Sequence, residues 1–458
     1  MDTARDFLED IWTDLGGRRE DGNTVAIEGT GGLPSAFAVT DFAVASIGTA
    51  ALFVAELIGE AFGERPGVVV DRRLASMWFD MTLKPEGWTL PSLWDPVAGN
   101  YETRDGWIRL HTNAPHHRAA ALAVLGVGPD RAAIRAAVRG WYQDDLETAI
   151  IAQGGCAAAM YSPEAWRDHP QGKSVAKEPL VWMEAGATGG DFGWQPERSR
   201  PLMGVKVLDL TRVLAGPVAT RLLAGFGAEV LRIDPPSWDE PGVVPEVTLG
   251  KRCARLDLKT AHGRSRFEAL LRGADVVVHG YRPDALATLG FDPATRQSIH
   301  PGLIDVSLDA YGWTGPWAAR RGFDSLVQMS CGIALAGARQ FGSDQPRPLP
   351  VQALDHATGY VLAATVARGL RERLKTGKGF VARTSLARIA ALLMSRQATT
   401  PDTGIAPAHD EDFGSVEMTS WGPARRVLPP LVLEGAPLHW SRPAEPLGTS
   451  PPQWASHA

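Results

Sequence analysis

Cysteine is scarce. The 458-residue chain has three, Cys156, Cys253 and Cys331, far apart and without CxxC or Cys/His ligand spacing. That pattern excludes a disulfide framework and a zinc module, so no metal site is expected and a reducing cytoplasm is the expected compartment. An excess of positive charge is also missing. The 46 basic residues stand against 52 acidic ones, a net charge of −6, so no nucleic-acid partner is expected. No apolar run is long enough to span a bilayer. The longest uncharged one, Phe42–Ala55, has 14 residues between Asp41 and Glu56 and reads as a buried helix. The opening MDTARDFLEDIW is acidic and lacks the basic start and apolar stretch of a signal peptide. No membrane partner is expected.

Several common chemical motifs are absent too. There is no GxGxxG for a nicotinamide dinucleotide, no GxxxxGK[ST] for an NTPase, no HExxH and no GxSxG elbow. What is present suffices for a core, since 44% of residues are hydrophobic, while 49 Gly and 34 Pro imply many turns. Five regions follow. Residues 1–34 read as a loosely held polar arm with one short helix, and 35–88 contain the apolar helix and a second apolar stretch. Residues 89–185 form a small α+β unit: YETRDGWIRL (101–110) has a turn at Asp105–Gly106, and an Ala-rich helix covers His116–Gly126. Residues 397–458 are rich in Pro and Gly and read as an extended tail, either wrapped over the molecule or in part disordered.

The clearest periodicity lies within 200–396. VKVLDL (205–210), EVLRID (229–234), ARLDL (254–258), DVVVH (275–279) and LIDVS (303–307) read as strands. Helical patterns such as VATRLLAGFG, RSRFEALLRG and PDALATLG lie between them. Alternation of this kind implies right-handed βαβ crossovers and a parallel, Rossmann-like sheet, hence an α/β fold with a smaller α+β domain. A weak repeat also stands out. AVTDFAVASIGTAALFVAELI (38–58) and QALDHATGYVLAATVARGL (352–370) each set an Asp, at 41 and 355, before an apolar Ala-rich helix. A Gly turn, at Gly67 and Gly379, and a second apolar run follow each, which suggests rearranged or partly duplicated segments.

Three groups can carry chemistry. The loop TRVLAGP after the first strand would expose backbone N–H groups at a helix start, which suits a phosphate or carboxylate; it also fits an ordinary βα loop. Lys251, Arg252, Lys259, Arg282, Arg320 and Arg321 recur after successive strands, where they would meet a phosphate or simply solvent. Asp355 precedes an uncharged helix, where an Asp is commonly an N-cap, although a carboxylate held against apolar surface is also a covalent nucleophile. His116–His117 reads as a helix start.

Taken together, VKVLDLTRVLAGPVATRLLAGFGAEVLRID, GKRCARLDLKTAHGRSRFEALLRGADVVVHGYRPDALATLGF, HPGLIDVSLDAYGWTGPWAARRGFDSLVQMSCGIA and QALDHATGYVLAATVARGLRERLKTGKG resemble the class III CoA-transferases. This CaiB/BaiF-type family includes formyl-CoA and carnitine-CoA transferases and α-methylacyl-CoA racemases. The resemblance runs over roughly residues 200–390. It implies that Asp355 is the catalytic nucleophile. It places coenzyme A against Leu214 and Ala215, against Leu256, Asp257, Leu258 and Lys259, against Gly280, Tyr281 and Arg282, and against Arg321, Gly322, Phe323 and Asp324. It implies acyl-CoA and a small carboxylic acid as substrates, no permanently bound cofactor, and a homodimer or an intramolecular pseudo-dimer.

The family's small domain ordinarily follows the core; here its counterpart comes first. Phe323 stands where the racemase has a catalytic His, which argues against racemisation. Leu214 replaces a loop Gln of some transferases, and Thr288 an Arg that meets CoA phosphate. The glycine-rich loop of formyl-CoA transferase has no counterpart in 90–185, and Asp41 is expected to be a structural cap. The implied activity is CoA transfer through an aspartyl anhydride and an aspartyl-CoA thioester; the alternatives are an acyl-CoA racemase or isomerase, and a non-catalytic CoA-binding subunit.

Overall fold

The computed structural model describes residues 2–22, 24–189, 193–282, 285–398 and 404–455. Six parallel strands form its centre: Lys206–Leu210, Glu229–Asp234, Lys251–Arg255, Val276–His279, Ile304–Asp309 and Lys378–Ser385. Numbered one to six along the chain, they lie in the spatial order 3-2-1-4-5-6. This is the doubly wound order, in which the crossovers change direction between strands one and four and open a crevice at the strand ends there. Trp182–Thr188 closes one edge, antiparallel to Lys378–Ser385. All four residues of Val276–His279 are buried, as a parallel strand covered on both faces requires. The α/β architecture with a Rossmann-like parallel sheet is therefore present.

Two local readings need correction. The third strand is Lys251–Arg255 rather than 254–258, because Asp257 accepts the Lys259 N–H (3.0 Å) and turns the chain. PDALATLG yields only a short turn of 3-10 helix, Ala287–Leu289, closed by Gly290 at φ 87°; Pro283 and Asp284 lie outside the described residues.

Residues 2–34 are not a loose arm. Asp2 caps the helix Thr3–Asp14, whose stripe Phe7, Leu8, Ile11 and Trp12 is buried in the core shared with the helix Val39–Phe62. Val25–Glu28 then pairs parallel with Val68–Asp71. Residues 1 and 23 of this region are not among those described. The helix Val39–Phe62 is apolar and long enough to cross a bilayer, yet 89% of its most apolar window is buried inside the protein, so its role here is that of a core helix. It packs beside the helix Ala353–Thr376, and at their far ends Arg371 meets Glu56 (3.2 Å) and Lys375 meets Glu60 (2.6 Å).

The hairpin Gly99–Glu102 and Trp107–Leu110, with Ala157–Ala159 beside it, forms a separate three-stranded sheet. Helices Pro115–Leu125, Arg131–Val138 and Gln143–Ala152 cover it and share an apolar cluster of Tyr101, Ile108, Leu125, Ile134 and Ile150. The tail is stitched in. Leu431–Leu433 pairs with Val68–Asp71, and Gly422–Arg426 with Leu83–Pro85. Trp440 then donates to the Arg221 carbonyl on the large domain (2.8 Å). Residues 399–403 and 456–458 of the tail lie outside the described residues.

Candidate active site

Strand one ends at Leu210 and strand four at His279, and a cavity of about 410 Å³ opens beyond them. Its floor is Leu210, Thr211, Arg212, Val213 and Ala215 on one side and Gly280, Tyr281 and Arg282 on the other. The floor is held from beneath. Asp209 is buried and accepts from the Thr211 N–H (2.9 Å), the Thr211 and Thr220 hydroxyls and the Lys251 ammonium (3.0 Å). Burial alone would raise its carboxyl, but Lys251 and Arg232 hold it below the usual range. Val213 takes φ 64°, uncommon for a β-branched residue, and the Glu240 carboxylate accepts its N–H (3.0 Å). This bend brings the start of the helix Ala215–Gly225, whose N-cap Leu214 supplies no side-chain bond, to the cavity. Its first N–H groups suit an anion.

Asp355 enters the cavity from the helix Ala353–Thr376. That helix approaches closely because residue 359 is Gly; a Cβ there would lie 2.5 Å from the Ala215 carbonyl oxygen. Asp355 is the third residue of the helix and not its cap, since the N-cap is Gln352, with no side-chain bond. The start is instead capped from outside. Asp324, first residue of the helix Asp324–Ser330, accepts the N–H groups of Leu354 (2.9 Å) and Asp355 (3.0 Å), and the Gln328 amide donates to its other oxygen. Two carboxyls are thus buried together, and both are pushed up from the ordinary carboxylate range, Asp355 by burial and then by the Asp324 charge. Asp324, with three donors, is the natural holder of the charge. Among the described residues none hydrogen-bonds the Asp355 carboxyl, which therefore keeps its proton in the empty cavity and is open to a ligand.

Of the positions implied by the resemblance, Ala215, Gly280, Tyr281, Arg282, Arg321, Gly322, Phe323 and Asp355 line this one cavity. Leu214 adjoins it. Asp324 lies behind it as the cap, and Leu256, Asp257, Leu258 and Lys259 do not line it; Leu256 and Leu258 sit in a separate apolar cluster. The basic candidates separate as well. Lys251 is fully buried on Asp209 and is not a surface phosphate ligand; Arg252 is tied to Glu229 (3.4 Å), and Arg320 to Glu147 (2.6 Å) and the Trp317 ring. Arg282 and Arg321 are exposed at the cavity wall. Thr288 does not line the cavity, and its hydroxyl bonds the Ala285 carbonyl (2.9 Å).

Sequence reading missed four lining groups. Arg212 lies between the Trp238 and Tyr281 rings and donates to the Tyr281 hydroxyl (2.8 Å), an arrangement that presents a flat cation at the switch point. His116 and His117 begin the helix Pro115–Leu125, as expected, but they also face the cavity. His117 borders Phe323 edge-on (5.9 Å), and burial, then His116 and Arg321, pull it down to about 4, so it is a neutral imidazole at pH 7. Only the TRVLAGP loop signal pointed toward Arg212; no local signal pointed to Trp238, or to the small region crossing over the sheet ends.

The wall is thus cationic and aromatic, with one unpaired carboxyl, at the strand ends of a doubly wound sheet. Residues 202–420 match CoA-transferase family III, so this part of the chain carries a family III region. Among curated relatives, an acyl-CoA transferase of Gibberella moniliformis is 30% identical over 313 residues, 62% of this chain and 54% of that protein. The human succinyl-CoA:glutarate CoA-transferase is 35% identical over 193 residues, 39% of this chain and 44% of that protein. The crystal structure of Rv3272 from M. tuberculosis is 32% identical, covers 43% of this chain and 56% of its own, and has a TM-score of 0.40. The chain spans about half the length of the curated relatives it matches.

Proposed function

We propose that this protein is a CoA-transferase that moves CoA from an acyl-CoA to a carboxylic acid, with Asp355 as its nucleophile. The observation that carries this reading is the Asp355 carboxyl, buried, without a protein donor, and facing the cavity at the topological switch point. The family III match over 202–420 supports it. An Asp355 oxygen attacks the thioester carbonyl, the C–S bond breaks, and a mixed anhydride forms as CoA thiolate leaves. The thiolate attacks the aspartyl carbonyl carbon and frees the donor acid as its carboxylate, leaving an aspartyl-CoA thioester. The acceptor carboxylate then expels the thiolate to form a second anhydride. Attack of the thiolate on its acyl carbon returns a new acyl-CoA and free Asp355. Electrons and charge balance with no permanently bound cofactor, and fixed positioning makes a weak carboxylate nucleophile effective.

Arg282 and Arg321 at the wall and Arg212 on the floor suit the nucleotide phosphates of CoA. In this reading 35–88 is a partial repeat of the large domain, 89–185 the small domain, 200–396 the CoA-binding core and 397–458 the tail. The chain then acts as an intramolecular pseudo-dimer in the cytoplasm. Mass spectrometry after incubation with acyl-CoA tests the nucleophile: an acyl or CoA adduct on Asp355 in the unaltered protein, lost in Asp355→Ala, supports it, and an adduct that survives the substitution overturns it. One observation favours a second reading. Neutral His117 shares the cavity with Asp355, and such a pair can exchange the α-proton of a 2-methylacyl-CoA despite Phe323. Deuterium incorporation at that carbon in heavy water would select the second reading.

A further inference from the structure

A second cavity, of about 280 Å³, lies on the other side of the helix start that holds Asp324. Arg109, Asn100 and Trp94 from the small region line it, together with Ser325, Gln328 and Gln352. Its chemistry is one-sided. Arg109 is a half-buried guanidinium without a carboxylate partner: its Nη1 donates to Asn100 (3.0 Å), its face lies over the Trp94 ring (4.6 Å), and its Nε is buried with no acceptor. Burial pulls it down to about 10, so it remains cationic at neutral pH. The Ser325 hydroxyl is likewise buried without a partner. The acceptors that could answer these donors are already engaged, since Asp324 takes two backbone N–H groups and the Gln328 amide, and the Gln328 oxygen takes the Leu349 N–H (2.7 Å). A buried planar fork beside a free hydroxyl matches the geometry of a carboxylate.

The cavity adjoins the reacting carboxyl through two short links. Gln352 is the N-cap of the Asp355 helix, and Ser325 follows Asp324, which accepts the Asp355 N–H. Phe323 lines the larger cavity and Ser325 the smaller one. We propose that the smaller cavity is a subsite for the distal carboxylate of a dicarboxylic acid, held by Arg109 and Ser325 while the other carboxylate exchanges CoA at Asp355. This rests on the CoA-transferase reading and names its acid class.

The test compares glutarate with butyrate as acceptors from succinyl-CoA, in the unaltered protein, Arg109→Gln, Arg109→Lys and Ser325→Ala. Loss of a charged hydrogen bond predicts a KM for glutarate raised about 10- to 100-fold in Arg109→Gln, less in Arg109→Lys and roughly 3-fold in Ser325→Ala. The KM for butyrate and the Asp355 adduct should be unchanged. An equal KM for the two acids in the unaltered protein, or variants that shift neither acid or both alike, would overturn the subsite. Should Arg109→Gln fail to fold, judged by its thermal melt, Ser325→Ala and Arg109→Lys decide by the same criteria. If the unaltered protein forms no adduct and transfers CoA to no acid, the Asp355 reading has failed. The subsite is then judged by calorimetry with glutarate alone: binding weakened at least about 10-fold by Arg109→Lys supports it, and no binding or equal binding overturns it.

Discussion

The helices Val39–Phe62 and Ala353–Thr376 begin alike. Ala38 (φ −74°, ψ 62°) and Gln352 (φ −76°, ψ 61°) precede them with nearly the same backbone geometry, both helices have 24 residues, and each has Asp as its third. Each closes on a left-handed Gly, Gly63 or Gly377, so these are the matching turns, rather than Gly67 and Gly379. A strand and a capped helix follow in both, with Asp71 and Ser385 as the caps. They part in their surroundings. The first residue of the following helix is Arg72 in one and Leu386 in the other; Arg72 pairs with Asp41 (2.6 Å), whereas Leu386 lines the cavity that Asp355 faces. Four residues past each Asp stand Ala45 and Gly359, and only the Gly admits the Ala215 loop. Neither Asp is an N-cap. The difference teaches that a carboxyl at this helix position becomes reactive through the removal of its cation and the opening of a crevice, not through its place in the helix.

The largest effect should separate the two aspartates outright. Asp355→Ala is expected to lower CoA exchange by on the order of 10³-fold or more, as removal of a covalent nucleophile does. Activity within tenfold of the unaltered protein, measured at saturating acyl-CoA, would refute the assignment.

Glu246 joins the first copy to the second. It accepts from the N–H groups of Thr82 and Leu83 (3.1 Å each) and pairs with Arg221 and with Arg426 (3.1 Å), all buried. Burial would raise this carboxyl, but the two guanidiniums hold it down to about 2. A depressed carboxyl contributes stability above its unfolded value near 4.5 that disappears as pH falls toward 2. Glu246→Gln, which leaves two buried cations unanswered, should cost about 3–5 kcal/mol at neutral pH. It should also flatten the loss of stability between about pH 4.5 and 2; an unaltered acid limb in denaturant titrations would count against the joint.

Exchanging the neighbour tests the comparison directly. Leu386→Arg places in the second copy the cation that Arg72 supplies in the first. An ion pair with Asp355, together with lost cavity volume, should reduce exchange by about 100-fold with little change in melting temperature. Full activity in this variant would show that the cation is not what distinguishes the copies.

The strands were legible because parallel, doubly covered strands are short apolar runs closed by turns, and Asp355 because the long motif around it resembles a known family. The failures share one cause. Lys251 reads as a surface cation until the fold sets it on Asp209, 42 residues away. The cap of the Asp355 helix comes from Asp324, 31 residues earlier, so no local signal could identify it. His117 and Arg109 belong to a region whose own pattern describes a small α+β unit and nothing more. Only its placement over the sheet ends brings them to the two cavities. The Thr3–Asp14 helix was underestimated because its apolar stripe is short and its burial depends on a partner helix further along the chain.

The smallest effect should come from Asp41. Its ion pair with Arg72 is partly exposed, with side chains 14% and 19% accessible, and Arg72 keeps a second bond to the Gly31 carbonyl (2.7 Å) when the charge is removed. Asp41→Asn should therefore cost about 1 kcal/mol, near the upper end for such pairs. In a chain of this size that lowers the melting temperature by roughly 2–4 °C or less. CoA exchange should be unchanged, because Asp41 does not line the large cavity and its carboxylate is already answered. A loss of activity comparable to that of Asp355→Ala, with the melting temperature intact, would mean that the first copy carries chemistry of its own and that its Arg72 is part of a site rather than a lock.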